Sequence, residues 1–514
     1  MSEPEGGVEV PAEGAGRAQR AALVGLRVVA GTVGIVAAVA VIAAVGLLPL
    51  PSHRISVPTV TVTPDPADQV RVCPGALLRL GDEAGQNANS ASSLGAPKVT
   101  RVGIGAELVS RPLDLSDADT GGGSSAPDEL TIPPAAGATL AGAQSQVADA
   151  SDYTGFAAAS CAEPSGSIWL VGGSTAVGRS TLLTLANPSA VDATVAITIL
   201  SSSGPVSAPG MSGIVVKAGA QRVIPLAGYA PDVETPVVHV AARGGQVVAA
   251  LQQSIVRGLD PGGIDLVEAA AAPGKHLVIP GVRVVDAIGV NKTLALTDWD
   301  DVVAAVRVAV PGLQSAKVQV SLMPEDAKLK GLSFEMDVSA GQVSELGLDS
   351  AADTDSGTVA IPDGMYTVVI DADQPVVAGV RVSTAVDPAA ADATATASDT
   401  TAPPSDFAWF GASHVLTGDA AVAVAKGPAP MISAMNPTAA SVTVTLESQA
   451  DGKTLSLVIP PGGSASVAVE PGTVYLLKHA NGLLAAVSYA GKAQLAHYAV
   501  SSAGPVSGPI VIRP

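Results

Sequence analysis

Hydrophobic positions in this chain fall into one unbroken apolar run near the N-terminus, many short alternating stretches, and Ser/Gly/Ala/Asp-rich stretches without a period. From Val28 to Leu48 there are 21 residues without a charge, and about 20 apolar residues suffice to span a bilayer as a helix. A cleavable signal peptide would have an apolar region of about 7 to 15 residues ending at a small-residue site. Here the run ends in Leu-Leu-Pro-Leu-Pro. Arg17, Arg20 and Arg27 precede it, and the next Lys or Arg after it is Arg54. The positive-inside rule therefore predicts a cytoplasmic N-terminus and an extracellular remainder. Residues 1–27 read as a disordered cytoplasmic tail. Residues 49–67, with Pro49, Pro51, Pro58, Pro64 and Pro66, read as a stiff stalk.

Beyond the stalk the dominant period is two, and it recurs in three related segments. Thr194–Ile199, Val318–Leu322 and Ser441–Leu446 each alternate apolar with small or polar residues, as a strand with one buried face does. Ala186-Asn187-Pro188 and Met435-Asn436-Pro437 precede the first and third, with Thr297-Asp298-Trp299 in the middle copy. Gly219, Gly341 and Gly463 punctuate the route onward. Each copy then has a hairpin-like pair: Val238–Ala241 with Val247–Ala250, Thr367–Ile370 with Val376–Gly379, and Tyr475–Leu477 with Leu483–Ala486. In the last, Asn481-Gly482 is the sequence of a type I′ hairpin turn. With leading strands at Ile168–Val171, His276–Ile279 and Ala408–Phe410, the units have the length of antiparallel sandwiches.

The expected fold class is all-β: tandem antiparallel, immunoglobulin-like β-sandwich repeats outside the membrane, preceded by one N-terminal transmembrane helix. The repeats span 167–270, 275–386 and 406–514, with a low-complexity linker or loop at 387–405. Residues 68–166 read as a partial β region, with a flexible loop over 114–128.

Composition narrows the function. With 27 basic against 46 acidic residues the formal charge is −19, so polyanions such as nucleic acid are repelled. Cys73 and Cys161 are the two cysteines, and their spacing matches neither a zinc site nor a redox motif. A disulfide closing a loop of ~90 residues, worth about 4–5 kcal/mol in the chain-entropy model, is favoured over two unrelated buried thiols.

Motifs for chemistry are sparse. No serine has the flanking glycines of a nucleophile elbow, and the six histidines lack metal-ligand spacing. Gly452-Lys453-Thr454 lacks the leading glycine of a phosphate loop and reads as a turn. Asp117-Ala118-Asp119 with Gly121-Gly122 and Asp128 is a fragment of a calcium loop without its bidentate Glu. These patterns assign no catalytic residue, cofactor or metal. The most distinctive cluster is Asp298-Trp299-Asp300-Asp301, where a Trp beside carboxylates can stack on a sugar face; the competing reading is an aromatic cap over a sandwich core. Trp169 and Trp409, on matching leading strands, read as core.

The anchor, Cys73-Pro74-Gly75, Cys161 shortly before Ile168-Trp169-Leu170-Val171-Gly172-Gly173, and the Asn-Pro repeats together resemble an uncharacterised actinobacterial family of Ala/Val-rich, single-pass extracellular proteins. Such proteins are often encoded near cell-envelope glycosyltransferases. The resemblance implies a non-catalytic interaction or scaffold role in envelope polysaccharide assembly, with a cell-envelope membrane protein as partner. A glycan-binding module and an enzyme whose carboxylates converge from distant segments are the alternatives.

Overall fold

The computed structural model describes residues 60–62, 67–80, 91–115, 118–119, 126–297, 299–348, 361–387, 403–502 and 510–512. The tail, the span Val28–Leu48, most of the stalk and most of the 387–405 linker lie outside them. Among the described residues no helix is long and apolar enough to cross a membrane.

Alternation becomes strand throughout. Strand Ala193–Ser201 buries every second side chain over its first seven residues, and Ala316–Pro324 and Val442–Ser448 largely repeat the pattern, each lining an apolar core. The Asn-Pro elements gain a physical reason. Asn187 and Asn436 are fully buried. Asn187 Nδ2 donates to the Val191 and Val216 carbonyls while Oδ1 accepts from Ser189 N–H. Asn436 does the same with Ala440, Pro460 and Thr438. An Asn at that corner satisfies backbone groups which the strand ladder leaves over.

The expected hairpins do not form. Strand Val237–Arg243 pairs with Ser167–Val171 and Ala193–Ser201, whereas its successor Val248–Arg257 pairs with Arg179–Asn187 and Asp260–Val267 in a different sheet. Likewise Val474–Lys478 pairs with Ala420–Ala423 and Val442–Ser448, and Leu484–Gly491 with Met431–Met435 and Gln494–Ala499. Asn481-Gly482 therefore carries the chain from one sheet to another. In the middle segment the passage happens without a break. Strand Gly364–Ala385 pairs over its first half with Gly274–Val284 and Ala316–Pro324, and over its second half with Ala305–Ala309 and Ser405–Gly411. Alternation identifies which face of a strand is buried and carries no information on its neighbour.

Trp299 does not end a strand. It follows the helix Ala287–Leu296, placed between strands Gly274–Val284 and Ala305–Ala309, and precedes a short 3-10 turn, Asp300–Val302. Within 68–166, Gln69–Cys73, Asp128–Ile132 and Val109–Pro112 form one three-stranded sheet, and Lys98–Ile104, Thr139–Asp149 and Thr154–Ser160 another. Part of the expected 114–128 loop is paired, since Asp114–Leu115 runs parallel to Ala220–Gln221.

Residues Asp65–Gly508 form one compact unit. Its interleaving is clearest at strand Ser405–Gly411, which extends a sheet of the preceding segment. The Asp406 carboxylate on this strand is fully buried. Its Oδ2 accepts from Phe156 N–H at 2.8 Å and Leu495 N–H at 3.1 Å, and Oδ1 accepts from Ile264 N–H at 3.2 Å. Two glycines make room for it: a Cβ at Gly155 (φ +134°) or Gly263 (φ +119°) would stand 2.6 Å from Oδ1, and both dihedrals suit only glycine. Burial pushes the Asp406 pKa well above the usual carboxylate range, against the opposing pull of the amides. In the smaller unit, which holds the chain ends, Val60–Val62 pairs antiparallel with Ile510–Ile512.

Asp406→Ala removes the acceptor of three buried amides, and the expected loss is about 3–5 kcal/mol in urea-induced unfolding. Asp406→Asn, which keeps one acceptor oxygen and turns an NH2 toward an amide donor, is expected to lose less than the alanine variant and still more than 1 kcal/mol or so.

Candidate functional site

Of the acidic cluster singled out in the sequence, Trp299 and Asp301 make contacts within the fold. Asp298 lies outside the described residues. Asp301 is paired with both Arg179 and Arg257, and the Arg257 guanidinium sits 4.5 Å from the centroid of Trp299. The Trp299 face is thereby covered by a cation, while the half-buried ring packs near Val290, Val302 and Ala385. Asp300 remains exposed. Of the calcium-loop fragment, Asp128 is paired with Arg101, Asp117, Gly121 and Gly122 lie outside the described residues, and the described residues contain no group of three or more metal-ligating side chains.

Trp409 is buried as expected, at 2% exposure. Its Nε1–H donates to Gln253 Oε1 and its backbone N–H to Asp265 Oδ2, each at 2.7 Å. Arg307 stacks over the ring at 4.4 Å and is paired with Glu345. Trp169 differs. In strand Ser167–Val171 the side chains of Ile168 and Leu170 enter the sandwich core, so Trp169 faces the other way. It is half-buried and stacks on His239 of the neighbouring strand at 4.2 Å. On its other side the cross-strand partner is Ala270, and the ring packs against the buried cluster that includes Val171, Val237, Ala270 and Val377.

At that place a cleft of about 410 Å³ opens, with Trp169 and Ala270 in its wall. Two carboxylates reach it from distant segments. Glu268 sits where the chain leaves strand Asp260–Val267 of one sheet and enters Ala269–Ala270 of another, and the change of sheet turns its side chain into the cleft, where it accepts a hydrogen bond from Ser160 Oγ at 2.9 Å. Burial pushes the Glu268 pKa up to about 8, with the Ser160 hydroxyl and amide and Arg71 opposing and Asp265 reinforcing. Glu163 lies on a segment pinned on both sides: Ala162 forms a backbone bridge to Val72 and Ser165 another to Val247.

Next to this segment is the disulfide. Cys73 and Cys161 are bonded, 88 residues apart in sequence, and join strand Gln69–Cys73 to the end of strand Thr154–Ser160, which belong to different sheets. Arg71, on the strand that ends in Cys73, donates to the Cys161 carbonyl and pairs with Glu163 at 3.2 Å, and also donates to Ser501 Oγ. The side chain is 5% exposed, and burial lowers its pKa against the pull of Glu163 and Glu268. The disulfide, Arg71 and Glu163 thus fix one wall, and Glu268 and Trp169 another. Hydroxyls of Ser165, Ser167, Thr417 and Ser501 surround the opening. Chemically this is an aromatic surface, an alanine floor and a ring of hydroxyls and carboxylates, an arrangement suited to holding a small polar ligand in a fixed orientation.

Sequence reasoning passed over Glu163, Glu268 and Arg71, which no local motif marks. Trp169 carried one usable signal, its alternation against Ile168 and Leu170.

Comparison with known proteins adds a family. A model described as "Family of unknown function (DUF5719)" matches residues 121–471. No curated protein matches. Among solved structures, Thermotoga maritima 1070 is 16% identical with a TM-score of 0.17, covering 22% of this chain and 82% of its own. The Anabaena sensory rhodopsin transducer is 15% identical with a TM-score of 0.15, covering 24% and 96% respectively. Scores this low carry no argument about fold or function.

Two outcomes follow for the cleft wall. Replacing both cysteines with serine removes the cross-link over 88 residues, and unfolding free energy is expected to fall by about 4 kcal/mol relative to the oxidised protein. The raised pKa of Glu268 means that the folded state holds this proton more tightly than the unfolded chain does. Its stabilising contribution is complete below the unfolded value of 4.5 and is lost as pH rises through about 8. Melting temperature across that window should therefore decline less in Glu268→Gln than in the unaltered protein.

Proposed function

Because this chain belongs to DUF5719, a family of unknown function, we propose its role from its own residues: a non-catalytic, membrane-anchored extracellular scaffold of the cell envelope that holds its partner or ligand at the Trp169–Glu268 cleft. The anchor is the uncharged run Val28–Leu48 with Arg17, Arg20 and Arg27 before it. An oxidising compartment agrees with the Cys73–Cys161 bond. Envelope polysaccharide assembly is the process proposed, on the resemblance carried by the anchor, the cysteines and the Asn-Pro repeats.

The observation that carries the non-catalytic reading is the use made of buried charge. Asp406 and Asp265 accept from strand amides, and Asp301 and Glu345 are each paired with two arginines. These ionisable groups hold strands together. One observation favours an enzyme as the second reading: Glu163 and Glu268 converge on one cleft from segments about a hundred residues apart, and Glu268 has the raised pKa of a group able to donate a proton.

Crosslinking of the tagged full-length protein in intact membranes, followed by mass spectrometry of what is recovered, tests the proposal. Specific recovery of an envelope membrane protein is the expected result. No specific partner, combined with turnover of a glycan by the purified protein that Glu268→Gln abolishes, would replace the scaffold with the enzyme.

A further inference from the structure

Of the three tryptophans, Trp409 is buried and Trp299 is covered by Arg257, while Trp169 borders a cavity. We propose that this cavity is a carbohydrate subsite taking an uncharged sugar ring of an oligosaccharide, with the edge of Trp169 as the apolar contact and Glu163, Glu268 and the surrounding serines as partners for its hydroxyls. The inference rests on the cleft being the binding site of the proposed scaffold, and it adds the ligand class.

Size and shape come first. At about 410 Å³ the cleft falls within the ~300–1,000 Å³ range of small-molecule sites. Beside the indole its floor holds the Ala270 methyl group, while Ala269 turns with Leu170 to the core on the other face of the sheet, which leaves a small apolar recess alongside an aromatic edge. A sugar ring presents C–H groups on its face and hydroxyls around its rim, so it matches an apolar recess encircled by polar groups. His239, stacked at 4.2 Å with rings 20° from parallel and linked to Ser167 Oγ at 2.9 Å, holds the indole in place before any ligand arrives, which lowers the ordering cost of binding.

Charge then selects among polar ligands. An anion would meet Glu163 and Glu268 in a protein of formal charge −19, and the Arg71 guanidinium is engaged by the Cys161 carbonyl, Glu163 and Ser501. A cation would have to compete with Arg71 for Glu163, and with the proton that burial favours on Glu268. A hydroxyl does neither. It donates to Glu163, and it accepts from or donates to Glu268 according to that group's protonation. The serines and Thr417 at the opening act in both directions in the same way.

The test uses the full-length protein in detergent micelles, titrated calorimetrically with malto-, cello-, manno- and xylo-oligosaccharides, and with a chitosan oligosaccharide as the cationic contrast. At least one uncharged probe is expected to bind with little dependence on salt, and affinity should fall about tenfold or more in Trp169→Ala. Since Trp169 also packs against its neighbours, a second variant guards against misfolding. Ala272→Trp, at an exposed position on the cleft wall, fills the opening from the surface and is expected to abolish binding with an unchanged melting temperature. No binding of any uncharged probe, equal binding in Ala272→Trp, or binding of chitosan alone with steep salt dependence would overturn the assignment. The two readings fail separately. A partner still crosslinked by Ala272→Trp in the absence of sugar binding keeps the scaffold and removes the subsite. Cleavage of a bound probe, seen as new reducing ends, keeps the subsite and removes the non-catalytic scaffold.

Discussion

The arrangement of residues 65–508 depends on one buried carboxylate. Asp406 accepts hydrogen bonds from Phe156, Ile264 and Leu495, amides on three strands drawn from three parts of the chain. Burying a carboxylate is costly, and several fixed donors converging on it in a low-dielectric interior offset part of that cost. The carboxylate thereby ties together strands that pair with different neighbours. Gly155 and Gly263, whose dihedrals and clearance admit no side chain, are part of the same contact.

Asp265 continues this logic one residue beyond Ile264. It accepts from the Trp409 amide, and Trp409 reaches Gln253, which also accepts from Gly173 N–H. Arg307 lies over the indole and donates to the carbonyls of Gly173 and Pro236. Strands that read in the sequence as belonging to separate repeats are thereby bonded through side chains as well as ladders. The cleft is a consequence of that packing. Glu268 stands at the change of sheet that follows Asp265, Glu163 two residues past the disulfide, and Trp169 on the strand that lies between His239 and Ala270. Each is placed by a structural need of its own segment, and together they leave a walled opening.

How far the sequence discloses this follows from which kind of information each feature needs. Strand content, buried faces and the recurring Asn corners depend on neighbours within a few residues, and alternation at Thr194–Ile199 or Val318–Leu322 displays them directly. The cysteine pair was legible because two cysteines admit one pairing. Pairing partners are another matter: nothing in Val238–Ala241 or Val247–Ala250 says that they enter different sheets, and the Asn481-Gly482 dipeptide has the same local preference in a hairpin as in a crossing between sheets. Trp299 could be read as a ligand platform or as an aromatic cap, and its contact with Arg257, more than forty positions away, was not visible in the sequence. The cleft was the least visible feature, since Arg71, Glu163, Glu268 and Ser501 meet only through long-range folding.

Native-state hydrogen exchange tests most directly whether Asp406 makes these strands one cooperative unit. The amides of Phe156, Ile264 and Leu495, although more than a hundred residues apart from one another in sequence, are expected to exchange with a common free energy equal to that of global unfolding. Exchange of the three at separate, lower free energies, each in step with its own segment, would contradict the account and show three units that fold independently.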